Sequence, residues 1–275
     1  IFCLTLVSVV LVLAEETGKK HIPYSYFDNP QVCAGCHWDK FRRWNISQHS
    51  KGYTGDFFQR QFFDLVLPSR SLDKSVENVH KGCIGCHSPS SYLADDMLPQ
   101  PAKILNNHWK LCDGYKTLAD RGIFCDFCHT LEGFKNLEFP WSPFHKTKRS
   151  ELFQDPMICA TCHNEKNPYD VWVKATEIEY RKSKYPERGI VCQTCHLQTM
   201  GGQPAKMGPI RPHNSDHWFG GGFSEFVEGA AKVKIIIDSD EIIPGQTVSF
   251  TVLVHGTATG HKFPTGSVEE RDVWL

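Results

Sequence analysis

Apolar residues in this chain are scattered, and only a few stretches keep a period long enough to predict an element. Leu72, Val76, Val79 and Cys83 recur at helical spacing and predict a helix that runs into the CIGCH sequence at residues 83–87. Asn167-Pro168 reads as an N-cap followed by proline at the first helical position. Val171, Ala175 and Ile178 then form an apolar stripe ending before Pro186, which predicts a second helix. From about Ala231 the period changes to two. KVKIIID is followed by a turn at Pro244-Gly245 and then by TVSFTVLV, with Val248, Phe250, Val252 and Val254 on one face. The first 14 residues are almost wholly apolar (IFCLTLVSVVLVLA). The run is too short for a comfortable membrane span and matches the core of an export signal, with cleavage expected before Glu15. Retained, it would serve as a membrane anchor. Either way the segments that follow are expected outside the cytoplasm, in the periplasm or at the cell surface.

Five copies of CxxCH punctuate the polar stretches: Cys33–His37, Cys83–His87, Cys125–His129, Cys159–His163 and Cys192–His196. Two cysteines three apart share one helical face, so Cys33 with Cys36, Cys83 with Cys86, Cys125 with Cys128, Cys159 with Cys162 and Cys192 with Cys195 can each form two thioethers to one haem. The adjoining His37, His87, His129, His163 or His196 then reaches the iron as proximal ligand. A zinc ribbon or a disulfide framework has no need of histidine after every second cysteine. Chance would place it there in roughly one chain in three million, at about one residue in 20. The expected cofactor is therefore covalent haem c, five per chain. Of 12 cysteines only Cys3 and Cys112 fall outside the motifs. They read as inert.

Composition adds boundaries. Among 275 residues, 22% are charged, 40% are hydrophobic and the formal net charge is −1. That excludes a disordered chain and offers no basic surface for nucleic acid. The motifs begin at residues 33, 83, 125, 159 and 192 without a repeating sequence between them, so no solenoid is expected. A Gly- and Pro-rich stretch, GGQPAKMGPIRPHNSDHWFGGGF, follows the last motif. The predicted architecture is a mainly α and irregular multihaem domain over residues 20–225 with a haem-dominated core. The opening of a β-sandwich-like domain, incomplete at Leu275, follows over residues 230–275.

Each iron has a second axial position, and its occupant separates electron carriers from catalysts. Nine of the 14 histidines lie outside the motifs, against four methionines, so bis-histidine ligation can be met throughout. The leading distal candidates are His49, which follows the aromatic residues Trp38, Phe41 and Trp44; His80, three residues before Cys83; His145, ahead of the fourth motif; and His213 or His217, in a glycine-rich loop, with His217 favoured by Trp218. His80 would serve a haem other than that of its own motif. His21, His108, His255 and His261 rank lower.

Beyond the motifs, NPQVCAGCHWDKFRRWNISQHSKG, SPFHKTKRSELFQDPMICATCHNEKNPYDVWVKAT, RGIVCQTCH, RPHNSDHWFGGG and TGHKFPTGSVEERDVWL resemble multihaem c-type cytochromes with cytochrome c-554-type haem domains. The resemblance implies packed haem pairs with distal histidines drawn from elsewhere in the chain, with His49, His80 and His145 first among them. It implies electron transfer to redox partner proteins and other haem proteins, alone, as a homo-oligomer or as a filament. The alternative it carries is an oxidoreductase acting on a small nitrogen or sulfur compound at one open haem, where Arg211 and His213 would handle an anion. Pentahaem nitrite reductases of this class usually replace one motif histidine by lysine, and all five are histidine here.

Overall fold

The computed structural model describes residues 22–102, 117, 119–130, 150–222, 224–239 and 241–267. His21, His108, Cys112, His145, Cys3 and the apolar run over residues 1–14 lie outside them. The described chain is short helices joined by ordered turns, with three two-stranded antiparallel sheets.

The motifs sit on helices. α1 (Pro30–Ala34) begins on Asn29, whose side chain accepts from Gln31 N, and has proline at N1, so the helix entering the first motif starts on a conventional cap. α2 (Trp38–Ile46) follows directly from His37. α3 (Asp56–Arg60) runs through a π-helical turn at Gln61–Val66 into α4 (Leu67–Ser69). α5 (Val79–His87) carries the second motif and is followed by α6 (Pro89–Leu93). α7 (Cys125–Thr130), α8 (Met157–His163) and α10 (Cys192–His196) carry the other three, with α9 (Thr176–Arg181) between the last two. α11 (Phe226–Ala230) leads into the C-terminal strands.

Two expected helices are shorter than predicted. α5 starts at Val79, and residues 72–78 form turns in which Asp73 accepts from the Ser75 amide at 2.7 Å. Asp and Ser here offer the backbone a local partner that competes with the helical ladder. The stretch from Asn167 to Ala175 is a hairpin instead of a helix. β1 (Asn164–Lys166) pairs antiparallel with β2 (Trp172–Ala175). Asn167 Oδ1 accepts from both Tyr169 N and Val171 N at 3.0 Å, and Asp170 takes φ +62°, which reverses the chain. The proline thus serves a turn, and only the residues from Thr176 to Arg181 keep the helical stripe.

Packing uses aromatic protein side chains. One cluster joins Phe27, Phe41, Trp44 and Phe124, with Trp44 Nε1 donating to Ile123 O at 2.7 Å. A second joins Tyr53, Phe58, Phe62, Ile84 and Ala119. At roughly 1.5–3 kcal/mol for each large side chain buried, these clusters are the main apolar stabilisation of the described body. Phe41 and Trp44 therefore build protein core, whereas Trp38 is half exposed.

β3 (Thr199–Gly202) pairs with β4 (Arg211–Ser215), and β5 (Ala231–Ile237) pairs with β6 (Phe250–Gly256) in continuous register from Ala231↔Gly256 to Ile237↔Phe250. The predicted strands and the Gly245 turn, at φ +87°, are present. A two-stranded ribbon is what the described residues form there, rather than a sandwich. Side chains on both of its faces, including Ile235, Ile236, Phe250 and Leu253, are exposed.

Candidate functional site

Four motif helices carry both their cysteines one turn apart, in the first motif Cys33 lies in α1 and Cys36 in the turn that follows, and all ten motif cysteines are free thiols. Burial pushes the Cys83 thiol up to about 11 and that of Cys128 up to about 12. Cys33, Cys86 and Cys192 are instead shifted down, each by a hydrogen bond from a cysteine of a neighbouring motif. Among the described residues, no three of His, Cys, Asp and Glu converge on a point that could hold a bare metal ion.

The motifs meet out of sequence order. Cys33 of the first is in hydrogen-bonding contact with Cys125 of the third, Cys86 of the second with Cys162 of the fourth, and Cys159 of the fourth with Cys192 of the fifth. Correspondingly, α1 packs on α7 and α5 on α8.

The histidines are set by backbone carbonyls. Nδ1 of His37 lies 2.8 Å from Pro204 O, that of His87 lies 2.7 Å from Gly52 O, and that of His196 meets Gly220 O. His80 does the same with Glu77 O at 3.0 Å, His217 with Ser215 O at 3.0 Å, and His261 with Lys262 O at 2.8 Å. A ring that donates through Nδ1 keeps its lone pair on Nε2, the tautomer a metal ligand needs. Burial also favours the neutral ring. It brings His49 down to about 3, and His87 and His217 to about 4.

Three motif histidines face a second imidazole. The ring centroids are 6.3 Å apart for His163 and His49, 6.2 Å for His129 and His217, and 6.4 Å for His196 and His261. Two imidazoles on opposite sides of one iron, with metal–nitrogen bonds of about 2.0 Å, place their centroids roughly 6.3 Å apart. The donor set thus fits haem iron at three motifs.

The pairings sort the sequence candidates. His49 and His217 meet motif histidines. His213 lies on the exposed strand β4 with Arg211, and neither is brought against a motif histidine in the described residues. His80 is buried on α5 but is paired with no motif histidine there. His145 lies outside the described residues. His261, ranked low from sequence, is placed by a returning loop in which Lys262 N and Thr265 Oγ1 both donate to Glu179 of α9, at 3.1 and 2.8 Å. Its signal was the Gly- and Pro-bounded texture of TGHKFPTG, the same texture that surrounds His217.

One short segment serves several of these positions. Asp216 pairs with Arg43 of α2, Arg43 lies 5.1 Å over the Trp218 ring, and Lys40 Nζ donates to Ser215 O at 2.5 Å. A shallow cleft beside His196 is lined by Asp216, Trp218, Phe219 and Phe226. A Cβ at Gly220 would sit 2.6 Å from the Phe226 ring, so a larger residue there would displace that ring.

Residues 32–130, which hold the first three motifs, match the family described as cytochrome c554 and c-prime. No curated protein matches the sequence. The fold is similar to that of a penta-heme cytochrome c552 from Thermochromatium tepidum, with a TM-score of 0.51 at 19% identity, covering 88% of this chain and 68% of that one. The motif helices and facing imidazoles described above thus stand beside a family likeness over residues 32–130 and a fold similar to that of a penta-heme cytochrome.

Proposed function

We propose that this protein carries electrons between redox partners through five covalently attached haems, outside the cytoplasm, with its haem body over residues 20–225 and a β-rich unit from residue 230. Haem c, when bound, supplies a one-electron iron couple at each motif. The chain's part is to hold, orient and insulate. The paired cysteines of each motif anchor the group, and His37, His87, His129, His163 and His196 offer Nε2 from one side. His49, His217 and His261 offer it from the other at the fourth, third and fifth motifs.

The observation that carries the reading is the set of three imidazole pairs at iron-bridging separation. Filling both axial positions with protein nitrogen leaves no room for a substrate atom, which favours transfer over catalysis at those motifs. Contact between the cysteines of neighbouring motifs supports passage from one to the next.

The test is maturation in a haem-attaching periplasm, followed by intact-mass measurement and EPR of the ferric protein. Five haem additions and predominantly low-spin signals are expected. Fewer additions with all motifs intact would overturn the count. A strong high-spin signal that responds to nitrite or hydroxylamine would move the assignment to a small-molecule oxidoreductase.

A further inference from the structure

Phe219 is in an unusual place for a phenylalanine. Its ring centroid lies 4.3 Å from that of His49 and 5.9 Å from that of His217. These two histidines face different motifs, His163 and His129. The ring also packs on the cluster of Phe27, Phe41, Trp44 and Phe124. Its backbone is left-handed, with φ +51°. A bulky residue rarely adopts that conformation, and such strain persists only where the surroundings over-determine it. The surroundings here are specific. Asp216, tied to Arg43, fixes the segment on one side, and Gly220, whose carbonyl receives His196, fixes it on the other.

We infer that Phe219 is a positioning residue that sets the ring orientations of two axial imidazoles at once, His49 and His217, and so couples the third and fourth haem sites. A side chain wedged against both rings restricts rotation of each about its bond to the metal, and ring orientation is one of the levers by which the protein tunes a haem. A shift at one imidazole is passed through the wedge to the other. The inference rests on the ligand pairs proposed above.

The experiment uses the haem-loaded full chain and three substitutions. Phe219→Gly removes the wedge and relieves the left-handed strain, at the cost of a cavity against the aromatic cluster that the Leu variant fills. Phe219→Tyr keeps the ring, and Phe219→Leu keeps apolar bulk without it. EPR of the ferric protein and a potentiometric titration are read together with the haem count. In the Gly variant the haem count should match the parent. Two low-spin signals should shift in g-value and two midpoint potentials should move, with Tyr restoring both and Leu restoring neither fully. Parent-like spectra and potentials in the Gly variant would overturn the inference. So would equal disturbance of every haem that Leu repairs as well as Tyr, because that is the mark of general core filling. If the parent lacks low-spin signals, the ligand pairing fails instead, and the two failures are distinguishable.

Discussion

At the scale of single residues, a ring nitrogen committed to a carbonyl decides which nitrogen remains. His217 and His261 hold Nδ1 against carbonyl oxygens and turn their other edge toward His129 and His196. Substituting His49, His217 or His261 with alanine should each convert one haem to high spin and raise its potential, since loss of an imidazole donor favours the ferrous state, while the thioethers stay intact. His213→Ala should leave spectrum and titration unchanged, and a spectral change there would contradict the exposed position on β4. Glycine separates strain from crowding in the same way. Gly122 has φ +57°, and a Cβ would meet His49 O at 2.5 Å, whereas Gly189 at φ +65° has open space around it. Gly189→Ala should cost about 1–2 kcal/mol, the ordinary penalty of a left-handed alanine. Gly122→Ala should cost at least ~1 kcal/mol more, because backbone must move, and denaturant unfolding of the two variants measures the difference.

At the scale of elements, the β1–β2 hairpin carries a charge pair into the neighbourhood of two motifs. Glu165 and Lys174 are cross-strand partners 2.6 Å apart, and the lysine side chain is only 13% exposed. Lys174 acts electrostatically on His87 and His163 and on the thiols Cys86 and Cys162. Lys174→Gln removes a cation and leaves Glu165 uncompensated. Two midpoint potentials should fall, by roughly 100 mV for a unit charge about 8 Å away at an effective dielectric of about 20. A rise, or a change at all haems alike, would show that the pair does not act locally. The hairpin also marks where sequence pattern misled. Val171, Ala175 and Ile178 fit a helical stripe, but Asn167 bonded its own following amides and the local turn prevailed. The motif helices and the β5–β6 ribbon were legible because their spacing is imposed by chemistry or by strict alternation. The pairing of His261 was not. It depends on Glu179, 82 residues earlier in the chain, accepting two hydrogen bonds from the loop, and no local pattern encodes such a partner.

At the scale of the whole molecule, chain order and spatial order differ. The first motif neighbours the third, and the second neighbours the fourth. Sequence spacing gave no spatial order for the motifs, and the interleaving could be read only from tertiary contacts such as that of α5 with α8. Replacing Cys83 and Cys86 with alanine should therefore remove one haem and disturb the signal of the haem bound at Cys159–His163 before that at Cys33–His37. The opposite ranking would refute the arrangement.

Interleaving also has a consequence in time. A ribosome adding on the order of 10 residues per second finishes the sequence around Cys125 roughly ten seconds after Cys33. Throughout that interval the first motif rests on α2 but lacks its α7 neighbour. The same delay recurs for His196, which waits for the loop bearing His261. The imidazole pairs would therefore close in the order fourth, third, fifth motif, which differs from the order of a modular string. By these pairings His163 meets a histidine made before it, whereas His129 and His196 wait for His217 and His261, so a chain halted before residue 217 would leave the third and fifth motifs without their facing imidazoles.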